Sequence, residues 1–381
     1  MKRLALLAAA AVFAFPRAAP AADDARAVTP ETFPRAETDL RFGRVVKEAG
    51  LGKFRHERQP VALDKQRAVK MDRDTLYSDA VFDLNAGPVT ITLPDAGRRC
   101  MSLQIIDRDG YTPEVDYAQG PHTLSAASVG TRYALAAVRI FVDPNDPKDV
   151  EAVNALQDAI KVEQPGGPGA FEPGNWDAFP QTAIRTALLA LAETLPDAKG
   201  MSGARGKVDP VRRLIGSASA WGSLPMDDAV FVEATPERDD GRTIYRLEFK
   251  DPPVDGFWSV AVYNDRGFLE PNPQKANSIT SVNAKAGPDG TVAVQFGGCE
   301  ATIPNCLPTP PGWSYMIRLY RPKAAVASGA WSFPEPKLIG PAPEAAAPPS
   351  AAPAPAAQAR PASPPPARKP APKAASARKR K

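Results

Sequence analysis

The run Met71-Asp72-Arg73-Asp74-Thr75-Leu76-Tyr77-Ser78 concentrates more chemistry than any other stretch of this chain. Two carboxylates flank one guanidinium. Arg73 can therefore offer a bidentate fork to a ligand carboxylate, while Asp72 and Asp74 can accept from sugar hydroxyls. The same residues also suit a buried ion-pair knot at a strand start, with Thr75 and Ser78 capping the backbone. A second run, Tyr263-Asn264-Asp265-Arg266-Gly267-Phe268-Leu269-Glu270-Pro271-Asn272-Pro273, holds Glu270 and Asn272 between an aromatic residue and two prolines. Side chains held in that way lose little freedom on binding a ligand. A staple across a turn is the structural alternative.

Further carboxylates, Asp107, Asp109, Glu114 and Asp116, surround Tyr111 just after an apolar run. Two carboxyls facing one another across a glycosidic bond can act as acid and base. Asp74, Asp107 and Glu270 are accordingly the catalytic candidates. Arg73, Tyr111, Trp258, Asn272 and Trp313 are the candidates for holding a ligand, the aromatic rings by stacking on sugar faces. Carboxylates at strand ends are also commonly just solvated. The chain has two histidines: His122 reads as a satisfied surface or turn residue, and His56 as a solvated one within Arg55-His56-Glu57-Arg58. No Gly-x-Ser-x-Gly elbow, phosphate-binding Lys-Ser/Thr loop, His-Glu-x-x-His helix or paired Cys-x-x-Cys is present, so the pattern assigns neither a metal nor a cofactor.

Of the three cysteines, Cys299 and Cys306 enclose Glu-Ala-Thr-Ile-Pro-Asn and predict a disulfide. The rival pairing, as two zinc ligands, lacks partners. Cys100 lies in a strand-like run and reads as a buried, inert small hydrophobe.

These groups must be positioned by a mainly β fold of the α+β kind. A helix within 22–50 carries Leu40, Phe42, Val45 and Val46 among charges and stops at Gly50. Strands are predicted at 80–84, 89–93, 101–106 and 133–142, separated by Gly/Pro turns that favour antiparallel pairing. Asp146-Pro147 and Asp209-Pro210 each start a helix, and 183–195 forms another. Strands return at 229–234, 243–249, 257–263, 291–296 and 313–320, with 264–267 and 288–290 as hairpin turns. In 257–263 both faces are apolar enough to be covered.

The blocks MDRDTLYSDAVFDLNAGPVTITLPD, YALAAVRIFVDPNDPKDV, VDGFWSVAVYNDRGFLEPNP and FGGC…PNCLPTPPGWSYMIRLYRP resemble those of paired DUF1254 and DUF1214 proteins, over roughly residues 32–338. The family motif often has Asn where this chain has Asp72. The resemblance implies a β-rich N-terminal domain and a C-terminal jelly-roll-like sandwich, similar in outline to the peptide-N-glycosidase double sandwich. Glycan substrates thereby come into view, although jelly rolls host many functions. It transfers no catalytic role.

The expected organisation is a signal peptide at 1–21, an N-terminal β-rich domain at 22–165, a helical connector at 166–225 and a jelly-roll-like domain at 226–340, followed by a disordered tail at 341–381. Lys2 and Arg3 precede an apolar run at 4–15 and the Ala19-Pro20-Ala21 cleavage pattern. Twelve apolar residues rise only about 18 Å as a helix, too short for a hydrocarbon core of roughly 30 Å. A periplasmic or secreted protein without a transmembrane segment is therefore expected. The tail has 12 prolines in 41 residues and ends Arg378-Lys379-Arg380-Lys381. Of the net charge of +4, residues 1–21 carry +3 and the tail +7, which leaves −6 on the body. A body of that sign is a poor match for nucleic acid. The tail suits an anionic envelope component: lipid, lipopolysaccharide or cell wall. Two functions follow as expectations. One is a binding or structural module of the envelope, and the other a metal-independent hydrolase or lyase acting on glycan or a related polar polymer.

Overall fold

The computed structural model describes residues 25–299 and 303–341, which belong to one compact unit. The expected signal peptide and nearly all of the tail lie outside the described residues. In chain order the elements begin with α1 (Phe33–Ala49), β1 (Arg55–His56), β2 (Thr75–Asp83), β3 (Val89–Leu93), β4 (Met101–Asp107) and β5 (Glu114–Asp116). There follow β6 (Gly120–Leu124), α2 (Ala126–Val129), β7 (Tyr133–Phe141), α3 (Pro147–Asp158), β8 (Lys161–Glu163), α4 (Ala178–Ala192) and α5 (Pro210–Ser219). The C-terminal part comprises β9 (Ala229–Ala234), β10 (Thr243–Phe249), β11 (Trp258–Tyr263), β12 (Ser278–Thr280), β13 (Val292–Phe296) and β14 (Cys306–Leu307). It closes with β15 (Ser314–Tyr320), α6 (Ala324–Ala327) and β16 (Lys337–Pro341).

The fold is mainly β, and its layers follow from the two-residue period of strands. One sheet has the order β1-β2-β7-β4-β5, and a smaller one the order β6-β3-β8. Leu76, Ala80 and Phe82 of β2 and Ala134, Ala136, Val138 and Ile140 of β7 point into a core shared with Val89, Ile91 and Leu93 of β3. The alternate residues Val81, Leu135 and Ala137 point the other way, onto Phe42 and Val45 of α1. In the C-terminal part, sheets β12-β11-β15-β9 and β14-β13-β10-β16 pack face to face. Val260 and Val262, Ile317 and Leu319 from one meet Leu247, Val294 and Phe296 from the other. Most ladders are antiparallel, but β13 and β14 pair parallel.

Three local expectations are revised. The turn at 264–267 does not close a tight hairpin, because the strand that pairs with β11 begins only at Ser278. Asn264 instead folds the chain on itself, its Oδ1 accepting from the N–H groups of Arg266 at 3.0 Å and Phe268 at 2.9 Å. In α1, Leu40 faces outward while Glu37, Thr38 and Asp39 are buried. That polar face is tolerated because Asp39 meets Arg108 at 2.7 Å and Glu37 meets Arg185 at 2.5 Å. Finally, the chain stays in the sheet to Pro341, since β16 pairs with β10.

Candidate functional site

The outward-facing residues of two sheets from opposite ends of the chain meet across a cleft of about 620 Å³. From the N-terminal sheet come Tyr77 and Asp79 of β2 and Arg139 of β7, on the face opposite the first core. From the C-terminal part come Met316, Arg318 and Tyr320 of β15, in alternation with the core residues Ile317 and Leu319. The segment at 67–72 and the loop at 219–224 complete the walls.

Arg318 is the centre of this wall. It is 3% exposed, and its Nη2 donates to the Lys70 carbonyl at 2.6 Å and to the Tyr263 hydroxyl at 2.7 Å. Its Nη1 is buried without a hydrogen-bond partner. Tyr263 in turn donates to the Met71 carbonyl at 2.9 Å, and burial pushes its phenol up to about 12. Asp72 receives the Tyr77 hydroxyl on Oδ2 at 3.1 Å, and its Oδ1 is buried and unpartnered. Asp74 is 1% exposed. It accepts from Ser278 Oγ at 2.7 Å on one oxygen and has no partner on the other. Burial first, and the negative charge of Asp72 second, push its carboxyl up to about 6. Asp74 does not line the cleft, whereas Asp72 and Arg318 do, and unpaired donors and acceptors on residues of a cleft wall are what a polar ligand would satisfy.

The lining is cationic although the body is acidic. Arg41, Arg44, Arg55, Arg67, Lys70, Arg139 and Arg318 face Glu48, Glu57, Asp72 and Asp79. Arg55 ion-pairs with Glu48, Glu57 and Asp79, and Lys70 with Glu233 at 2.9 Å. Among the described residues, Arg44, Arg67, Arg139 and Arg318 have no carboxylate partner. Arg139 is oriented by Gln104 Oε1 at 2.6 Å and the Gly222 carbonyl at 2.7 Å.

The structure separates the expected site residues. Arg73 is half-buried with its Nε unpartnered, but it does not line the cleft. Asp107 lies elsewhere, accepting from the Asp109 and Tyr111 N–H groups and meeting Arg205 at 3.1 Å. Tyr111 is part-buried, with the guanidinium groups of Arg205 and Arg213 at 4.2 and 3.7 Å from its ring centre, and it does not line the cleft. Glu270 accepts from Asn264 Nδ2 at 2.6 Å. Asn272 bonds the Ala276 N–H and carbonyl at 3.0 Å each, so both residues staple the turn. Trp258 and Trp313, expected as stacking platforms, are corrected to core: Trp313 is fully buried against Phe296 and Trp258 packs edge-on to Phe249. His56 is part-buried on β1, with Nδ1 at 2.8 Å from Ser78 Oγ, rather than solvated. His122 is buried rather than at the surface; with Glu114 and Asp116 it forms a potential ligand set remote from the cleft. Cys299 and Cys306 are bonded. Cys100 is a free thiol that burial pushes up to about 11.

Sequence reasoning missed Arg318, Arg139, Tyr263 and Ser278. A signal did exist for the arginines, because each interrupts an apolar strand (SYMIRLY and YALAAVRIF) at a position alternate to the core residues.

Residues 51–127 match a family described as protein of unknown function (DUF1254), and residues 229–324 match protein of unknown function (DUF1214). The chain thus carries a DUF1254 segment followed by a DUF1214 segment. Asp72 and Asp74 fall in the DUF1254 segment, and Ser278 and Arg318 in the DUF1214 segment, so the site needs both halves of the pair. The VPA0106 protein from Vibrio parahaemolyticus has a similar fold, with a TM-score of 0.61 at 18% identity over 81% of this chain and 98% of that one. An uncharacterized protein from Burkholderia cenocepacia gives a TM-score of 0.45 at 12% identity, over 81% and 88% of the two chains. No curated protein matches this chain.

Proposed function

We propose that this is an exported cell-envelope binding protein whose cleft holds a carboxylate-bearing polar ligand of the acidic-saccharide class. The reading is carried by Arg318, a buried cation on the cleft wall with one guanidinium nitrogen open. A carboxylate is the natural partner for that nitrogen. Arg44, Arg67 and Arg139 extend the same charge preference, and Asp72, on the same wall, has a buried Oδ1 with no partner of its own. The cleft volume is in the range of small-molecule sites. Among the described residues, no helix is long and apolar enough to cross a membrane. The basic tail would supply a second, electrostatic contact with anionic envelope material.

Calorimetric titration of the full chain with oligogalacturonates, the matching neutral oligosaccharides and simple dicarboxylates tests the reading. Binding confined to the acidic saccharides is expected, and Arg318→Met should weaken it at least about tenfold, the value of one charge-assisted hydrogen bond. Arg44→Gln and Arg67→Gln, which disturb no ion pair, should weaken it too. Equal affinity for neutral and acidic sugars, or no binding to any member of the panel, would overturn it.

One observation favours the second reading, a hydrolase or lyase acting on glycan or a related polar polymer. Asp74 does not itself line the cleft, but it is raised to about 6 two residues from Asp72, which does, and so is a carboxyl able to exchange a proton near neutral pH. Bond cleavage in the same panel, lost in Asp74→Asn with binding retained, would select this reading over simple binding.

A further inference from the structure

Strand β5 is the edge of the five-stranded sheet, and β6 is the edge of the three-stranded one. Glu114 and Asp116 stand two residues apart on β5, hence on the same face, and His122 stands on β6. One ligand atom from each of the three lies within 4.8 Å of the other two. The registers Leu103↔Asp116 and Ile91↔His122 bring the three together, which no spacing in the sequence announces.

The orientation of His122 gives this cluster its meaning. Its side chain is 8% exposed. The ring Nε2 lies 2.9 Å from the Ala118 carbonyl oxygen, which can only accept, so Nε2 carries a proton. In the neutral ring Nδ1 is then a bare lone pair, and it faces Asp116 Oδ2 at 3.4 Å. Two acceptors directed at each other repel unless a proton on Nδ1 or a metal ion lies between them. Asp116 is oriented by the backbone, its Oδ1 accepting from the Tyr117 N–H at 2.6 Å and the Ala118 N–H at 2.9 Å. Its Oδ2 remains turned to the ring. Glu114 is exposed, with no hydrogen bond or ion pair among the described residues. An imidazole whose far nitrogen donates to a backbone carbonyl is the arrangement that fixes a metal-binding tautomer.

We propose that Glu114, Asp116 and His122 bind one divalent transition-metal ion, with zinc the best chemical match. One imidazole and two carboxylates supply nitrogen and oxygen donors suited to zinc, and leave a fourth position to water. The ion would tie the edges of the two sheets together, and so act as a clamp on the N-terminal half rather than in the cleft. The site is independent of the ligand proposed for the cleft.

The experiment uses the full chain stripped of metal, titrated with Zn²⁺ by calorimetry and with Co²⁺ by visible absorption. One equivalent of Zn²⁺ should bind and raise the thermal midpoint, because the folded state alone assembles the three ligands. Co²⁺ should give the d–d bands of a nitrogen–oxygen site. His122→Gln should weaken Zn²⁺ binding by at least about 10–100-fold, the loss that changes in outer-shell partners alone cause. Glu114→Gln, at an exposed residue without partners, should also weaken it and alter the cobalt spectrum, and it decides the matter alone if His122→Gln does not fold. His56→Gln should change nothing. No uptake of either ion, uptake equal to wild type in Glu114→Gln, or uptake abolished by His56→Gln would overturn the proposal.

Discussion

The Ser278 hydroxyl donates to Asp74 Oδ1 across 2.7 Å, joining residues 204 positions apart and binding the N-terminal Asp-Arg-Asp run to the C-terminal sheet. Asp74 therefore titrates inside an interface rather than at a surface, and its protonation is coupled to folding.

That coupling has a definite sign. Burial raises the folded-state carboxyl to about 6, above its ordinary value, so the folded protein binds this proton more tightly than the unfolded chain. The contribution to stability is present in full below pH ~4, declines as pH rises to about 6 and is gone above that. It amounts to about 2–3 kcal/mol. Asp74→Asn, neutral at every pH, should flatten this dependence and leave the variant more stable than wild type at pH 8. Urea denaturation at pH 4.5 and 8 measures both arms, and identical pH profiles for the two proteins would contradict the assignment.

Tyr263 holds Arg318 in place and also satisfies the Met71 carbonyl. Tyr263→Phe leaves one buried carbonyl and one buried guanidinium N–H unpaired. A loss of about 1–3 kcal/mol is expected in equilibrium denaturation. A change near zero would show that water replaces the hydroxyl.

Trp313 is fully buried in the C-terminal core beside Phe296 and Tyr245. Trp313→Ala should cost about 3–5 kcal/mol. In the conservative Trp313→Phe, saccharide affinity should stay at the wild-type value, since no face of the ring meets solvent. Loss of affinity in that folded variant would restore the ring as a binding surface.

The Cys299–Cys306 bond closes a short loop of sequence separation seven. On the chain-entropy model such a closure contributes about 2–3 kcal/mol. Paired Cys299→Ser and Cys306→Ser substitutions should lower the urea midpoint accordingly, and reduced wild type should behave in the same way.

Removal of 343–381 leaves β16 and its pairing with β10 intact. The shortened protein should keep its thermal midpoint and cleft affinity but elute from anionic lipid vesicles at lower salt than the full chain. Unchanged elution would remove the tail from membrane contact.

Much of the framework was legible in the letters, because period and punctuation are local properties. Strands β3, β9 and β10 begin and end at the residues that the alternation predicts. Gly50, Asp146 and Asp209 bound their helices through backbone chemistry carried by a few neighbouring residues. The disulfide was equally local. Whether a polar residue binds a ligand or only satisfies a neighbour was not local at all. Glu270 and Asp74 read alike as carboxylates beside strands, yet one staples a turn six residues away while the other reaches Ser278 across the molecule. Trp313 and Arg318 stand five positions apart in one segment, and packing sent the ring to the core and the guanidinium to the cleft. Sequence thus determined which face of each strand was apolar. Only the meeting of distant faces decided which charges lost their water, and with it which carboxyl was raised and which arginine kept an unpaired nitrogen.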